Sequence, residues 1–191
     1  SGAMRSLAVK LSKIASDMIL LSSGPRAGLG EINLPPVQPG SSIMPGKVNP
    51  VMPELVNLVS FRVIGNDLTV TLAARNGQLQ LNAYEPVVAI AVLESQRLLA
   101  NTMATFRTRC VDGITVNADT LEGYIERTVG IVTALNPVIG YDRATELAKE
   151  AYSTNKGILE IVREKKILSE EQIEDILSPG ALTGLDKKQY E

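Results

Sequence analysis

Residues 51–75 form a stretch that is apolar on nearly every face when wound as a helix. Val51, Leu55, Val56, Leu58, Val59, Phe61, Val63, Ile64, Leu68, Val70 and Leu72 leave no continuous polar stripe. A second stretch, 86–110, repeats the pattern in its first half through Val87, Val88, Ile90, Val92 and Leu93. Helices without a polar face must be buried on all sides. Charge is distributed accordingly: 9 of the 78 residues in 27–104 are charged, against 26 of the 87 in 105–191. The middle of the chain therefore expects more partner helices than it supplies, and the inference is an all-α fold assembled as an oligomeric helix bundle.

The flanking text divides the rest. Pro50 suits the start of the first long helix and Gly77 its end, with a short irregular piece over 77–85. Upstream, Leu7, Leu11, Ile14, Met18 and Leu21 are spaced as a helix over 5–21 that stops at Ser22-Ser23-Gly24-Pro25. Residues 1–4 read as a cloning remnant without fold information, and an uncapped helix directly after them suggests a start inside a longer protein. Residues 26–50 carry Pro35, Pro36, Pro39, Pro45 and Pro50 with Gly28, Gly30, Gly40 and Gly46, which leaves no room for a regular element. Loops of this length inside compact proteins are usually functional or disordered. Ile32, Leu34, Val37, Ile43, Met44 and Val48 would anchor parts of it. The expected domains are a partial helix bundle over 5–112 and a small amphipathic helical domain over 113–191. The latter has helices after Asn117, over 142–152, 157–166 and 169–177, the last opened by Ser169 with Gln172 at the capping-box position. Pro137 and Pro179 are expected to mark breaks.

Composition removes several function classes. Over 191 residues the net charge is -2, which gives no electrostatic footprint for nucleic acid. No uninterrupted apolar run reaches the roughly 18 residues of a membrane span. With no Trp and 4% aromatics, stacking platforms are not expected, and the single cysteine, Cys110, fits a reducing cytoplasm. The chain has no histidine, so any reaction needing imidazole must borrow it from outside these 191 residues.

Chemistry concentrates in Gly40-Ser41-Ser42-Ile43-Met44-Pro45-Gly46-Lys47-Val48-Asn49-Pro50. Glycines free backbone N–H groups to point at an anion, Lys47 offers a point cation and Asn49 a neutral donor. As a pattern alone this is either an anion site or a turn-rich connector. The stretch closely resembles the signature of the fumarase/aspartase superfamily, homotetrameric lyases that release fumarate from a succinyl-type substrate. The likeness continues through 23–32, 63–67, 77–82 and 135–141, and corresponds to the C-terminal two-fifths or so of a full-length member.

That resemblance implies roles for particular residues. Ser41 matches the general base that takes a proton next to a carboxylate, supported by backbone N–H groups of the loop. Lys47 and Asn49 match the residues that hold the substrate carboxylate as it becomes an aci-carboxylate. Gly40 and Gly46 shape the loop, which resembles a mobile lid. Glu54 matches a glutamate paired with a histidine of another segment; read alone, it is a favourable first-turn carboxylate. Ser42 is expected to hydrogen-bond the loop, and Asn66, Asp67, Gln78, Gln80 and Asn82 to make polar contacts between packed helices. Cys110 is read as an inert, partly buried thiol, and Lys165-Lys166 and Lys187-Lys188 as solvated surface. The text at 50–57 leans to the branch that converts L-aspartate to fumarate and ammonia, since the branch acting on L-malate carries a Thr-Gln-Cys-type stretch at 51–53. The alternatives are class II fumarase activity or a non-catalytic structural fragment. No cofactor and no metal ligand is expected, the expected partner is a further copy of the chain, and the isolated 191 residues are expected to be inactive.

Overall fold

The computed structural model describes residues 1–184. It is built of nine α-helices, two short 3-10 helices and two two-residue strands among the described residues. The described chain falls into two compact units, one ending at Asn117 and one beginning at Ala118.

The first unit rests on three long helices, α1 (Gly2–Leu21), α2 (Val51–Arg75) and α3 (Glu85–Arg109). Ala8 and Ala15 on α1 are fully buried, and their small side chains let α2 approach. Ser12 donates to Asn57 Oδ1 at 2.8 Å, Asn57 donates to Ser16 at 3.3 Å, and Arg5 pairs with Asp67 at 3.4 Å. Residues 2–4 do carry fold information, because they are the first turn of α1 and Met4 packs on the Ala8, Val59, Val63 and Leu99 cluster. The apolar spacing that begins at Leu7 gave no sign of this turn, since short polar and small residues precede it.

Helix α2 follows Pro50, which needs no N–H in the first turn. It ends at Asn76 rather than at a left-handed Gly77. By length and composition it is apolar enough to cross a membrane, as core helices of soluble proteins also are. One face is packed through Val56, Val59 and Val63, whereas Leu58, Phe61 and Leu68 are each 60–65% exposed. On α3, Ile90 and Leu93 are likewise exposed. The expected all-round burial is thus not met within the chain, because three helices can cover only one side of each other.

Polar groups set the α2–α3 pairing. Asn66 is buried and its Nδ2 lies within hydrogen-bond distance of Glu94 Oε2 (2.8 Å), Ser95 Oγ (3.0 Å) and the Ala91 carbonyl (3.3 Å). Arg62 adds a 2.9 Å ion pair to Glu94. The hydrogen bond from Asn66, and then that from Arg62, holds the Glu94 carboxyl below its ordinary range. Beyond α2, Asn82 donates to the Ala73 carbonyl at 3.1 Å, while Gln78 and Gln80 are exposed.

The loop between α1 and α2 does contain a regular element. Strand β1 (Ile32–Asn33) pairs antiparallel with β2 (Thr115–Val116), in the register Ile32 opposite Val116. A two-residue strand is below what side-chain alternation can signal, and its partner lies more than eighty residues away.

The second unit packs α4 (Ala118–Arg127), α5 (Val132–Ile139), α6 (Tyr141–Thr154), α7 (Ile158–Glu164), α8 (Glu170–Leu177) and α9 (Pro179–Thr183). Its core joins Ile131, Leu135, Leu147, Ile158, Leu159, Ile161, Val162 and Ile173. The capping box at α8 is formed, with Ser169 Oγ accepting from Gln172 N–H and Gln172 Oε1 accepting from Ser169 N–H. Pro137 lies inside α5 and does not break it. Lys165 is ion-paired with Glu150, and Lys187-Lys188 lie outside the described residues.

Candidate functional site

Residues 26–50 are organised around two tight closures. The first follows α1, where Ser23 Oγ accepts from Leu29 N–H at 3.0 Å and the Ser23 carbonyl from Gly30 N–H at 2.8 Å. A Cβ on Gly28 would stand 2.4 Å from the Ser23 carbonyl, so glycine alone fits there. The β1–β2 pair then fastens the root. Asn33 and Asn117 exchange side-chain hydrogen bonds at 2.6 and 3.2 Å, and Asn117 also donates to the Gly30 carbonyl at 2.7 Å. Asn117 was legible only as a helix-opening residue, since its engagement with Gly30 and Asn33 requires the strand pairing.

The second closure is the neck of the 40–49 loop. Gly40 N–H donates to the Lys47 carbonyl at 2.9 Å, and Asn49 Nδ2 donates to the Gly40 carbonyl at 2.9 Å. A Cβ on Gly40 would lie 2.3 Å from the Lys47 carbonyl oxygen. Gly46 takes a φ of +77°, a left-handed backbone that a side chain would strain. Asn49 also joins the loop to α2, because its carbonyl accepts from Val51 N–H at 2.9 Å.

Inside this ring, Ser41 Oγ accepts from the backbone N–H groups of Ile43 and Met44, each at 3.2 Å. The hydrogen bonding expected of Ser42 falls to Ser41, whose Oγ lies against the Ile43 and Met44 amides, whereas Ser42 is exposed. Two adjacent serines are chemically alike in sequence, and only the turn separates them. Two N–H donors on one hydroxyl oxygen favour its anionic form, which is the main obstacle to using serine as a base.

Ser41 and Lys47 line one groove of about 450 Å³ with Pro36, Gln38, Pro39 and Met44. The Lys47 side chain is exposed there, and Ile43 at the tip is 84% exposed. Asn49 lies at the neck, outside the groove wall, and Glu54 is exposed on the first turn of α2. The structure thus brings together Gly40, Ser41, Gly46, Lys47 and Asn49, with Glu54 following on the helix the loop enters. A groove of about 500 Å³ between α5 and α6 is bounded by Asn136, Tyr141, Lys149 and Tyr152, and contains none of these residues. Among the described residues no three histidine, cysteine, aspartate or glutamate side chains gather as metal ligands.

Two family models match the chain, one for lyases over residues 1–65 and one for the fumarase C C-terminus over 131–184. Aspartate ammonia-lyase of Pseudomonas aeruginosa is 57% identical over 94% of this chain, and that of Escherichia coli 54% over 93%. The chain spans about 38% of the length of the first relative and 37% of the second. A crystal structure of a fumarate lyase:delta crystallin from Brucella melitensis bound to cobalt matches with a TM-score of 0.82 and 55% identity, over 93% of this chain and 38% of that one. A class II fumarase from Schistosoma mansoni gives the same TM-score at 38% identity, over 93% of this chain and 37% of its own. These likenesses run through the helices, the 40–49 loop and the second unit alike, and the chain belongs to the fumarase/aspartase superfamily of lyases.

Proposed function

We propose that the full-length protein interconverts L-aspartate with fumarate and ammonia, and that this chain supplies the base-bearing loop of its active site. The carrying observation is the Ser41 hydroxyl, whose oxygen accepts two backbone N–H groups within a loop whose other limb presents Lys47. In this reading Ser41 Oγ takes the proton from the carbon beside a substrate carboxylate. The electron pair moves into that carboxylate, giving an aci-carboxylate, and returns to form the double bond as the C–N bond breaks and ammonia leaves. Lys47 and Asn49 stabilise the carboxylate as its charge grows, which favours the transition state over the ground state. Glu54 pairs with an imidazole from another segment, since the chain has no histidine. The reading requires no cofactor.

The amino substrate is preferred because relatives named aspartate ammonia-lyase are 54–57% identical to this chain, against 38% for the Schistosoma fumarase. The exposed apolar faces of α2 and α3 support further copies of the chain as partners, and the relatives' metabolic chemistry supports a cytoplasmic enzyme. Fumarate formation followed by ultraviolet absorbance on the full-length protein tests the reading. L-aspartate is expected to turn over and L-malate not to, with Ser41→Ala lowering kcat by about a thousandfold or more. Turnover of malate alone would make it a fumarase, and full activity in Ser41→Ala would remove Ser41 from the chemistry. The 191-residue chain by itself is expected to show no turnover above that variant.

A further inference from the structure

We infer that Asn117 is a positioning residue of the reaction, whose side chain holds the root of the base-bearing loop and so sets where Ser41 stands. The inference rests on the lyase reading above and extends it to a residue far from the serine in sequence. Both the donor and the acceptor of the Asn117 amide are engaged. Its Nδ2 donates to the Gly30 carbonyl at 2.7 Å and to Asn33 Oδ1 at 3.2 Å, and its Oδ1 accepts from Asn33 Nδ2 at 2.6 Å. Its backbone N–H donates to the Glu31 carbonyl at 2.9 Å, and Glu31 N–H donates at 2.9 Å to the carbonyl of Leu21, the last residue of α1. The start of the loop is thereby tied on one side to α1 and on the other to the 115–117 segment.

The next two residues extend this seat. Leu34 packs on the cluster that joins Ala15, Met52, Val56 and Phe106, and Pro35 lies on Gly113, where a Cβ would stand 2.7 Å from Pro35 Cγ. What lies between the seat and the serine is stiff. Pro35, Pro36 and Pro39 fix φ at three of the five positions from 35 to 39, and each proline disfavours a helical turn in the residue before it. A proline-rich strut carries a rotation at its base to its far end, where a flexible chain would absorb it. Ser41 stands two residues beyond Pro39, so a misdirected root moves its hydroxyl away from the carbon it must deprotonate. A displacement on the order of 1 Å at a reacting group is enough to cost about a hundredfold in rate.

Three variants of the full-length enzyme test this. Asn117→Ala removes the amide. Asn117→Asp keeps its shape and the bond from Asn33 but sets a carboxylate oxygen against the Gly30 carbonyl. Gly113→Ala displaces Pro35 and leaves Asn117 in place. Each is expected to lower kcat on L-aspartate by about tenfold or more, with KM held within about twofold. Adding Asn33→Ala to Asn117→Ala should cost little more, because the two side chains share their bonds. In both Asn117 variants, hydrogen exchange at the amides of residues 31 and 117 is expected to accelerate by roughly fivefold or more, the worth of one neutral hydrogen bond, with amides in the middle of α2 unchanged. Faster exchange with kcat unchanged would make Asn117 structural only and overturn the inference. Unchanged exchange in both variants, or a raised KM at constant kcat, would overturn it as well. If Asn117→Ala does not fold, Asn33→Ala and Gly113→Ala decide by the same kinetic criteria. If wild-type enzyme turns over neither L-aspartate nor L-malate, the lyase reading fails and the catalytic role of Asn117 with it, while exchange still decides whether its amide holds the root.

Discussion

Gly40 and Asn49 contribute one absent Cβ and one amide, and between them they turn ten residues of loop into a closed ring. Ser41 acquires its two N–H donors from the same local turn, since Ile43 and Met44 are held where their amides face back along the chain. The residue types for this were legible in sequence, but the choice of Ser41 over Ser42 as the hydrogen-bonded serine was not. Cys110 shows a comparable gap. It was readable as a partly buried thiol, and it is fully buried, which pushes its pKa up. A thiol raised by desolvation carries less thiolate at any pH below its pKa, and thiolate is the reactive form. Native protein at pH 8 is therefore expected to react with a thiol reagent about tenfold or more slowly than the unfolded chain. A native rate equal to the unfolded one would contradict the burial.

At the scale of elements, α2 and α3 illustrate how polar residues fix a pairing that apolar ones leave open. Many rotations of an all-round apolar helix bury similar area, but only one places Asn66 against Ala91, Glu94 and Ser95. Asn66→Ala should cost about 1–3 kcal/mol, because it takes the donor away from the buried Ser95 hydroxyl oxygen and from the Glu94 carboxylate, while the Ala91 carbonyl keeps the Ser95 hydroxyl. Urea unfolding of both proteins at equal concentration measures it, and a difference below about 0.5 kcal/mol would show that the apolar contacts alone set the pairing. Helix α5 gives the opposite lesson. Pro137 removes one backbone hydrogen bond, a penalty of about 3 kcal/mol in a long helix interior. Leu135 within this short helix and Ile131 one turn before it are buried in the same core, and each gains about 2 kcal/mol by leaving water. Burial therefore outweighs the proline, and a rule that stops helices at proline fails here.

For the whole molecule, the decisive quantity is apolar surface left uncovered. Leu58, Phe61 and Leu68 on α2 and Ile90 and Leu93 on α3 are each 60–68% exposed. Large exposed apolar patches mark association sites, and a further copy of the same bundle is the expected cover. Sedimentation of the 191-residue chain at rising concentration is expected to show self-association. Phe61→Glu should weaken it by about tenfold or more by placing a charge in the interface. A monomer at all concentrations would mean that the α2 face tolerates water as it stands.

The sequence by itself determined the three long helices, four of the six helices of the second unit, the position of the reactive loop and its residue types, and the excess of apolar surface. These are local quantities, carried by apolar periodicity, proline and glycine placement, and the absence of histidine. Tertiary structure alone decided which serine is held by amides, that Asn49 bonds to Gly40, and that Asn117 fastens Gly30 and Asn33. Each of these depends on residues brought together by a turn or by pairing across eighty positions. Hydrogen bonds are directional over about 3 Å, and no spacing along the chain specifies that distance until the backbone has folded.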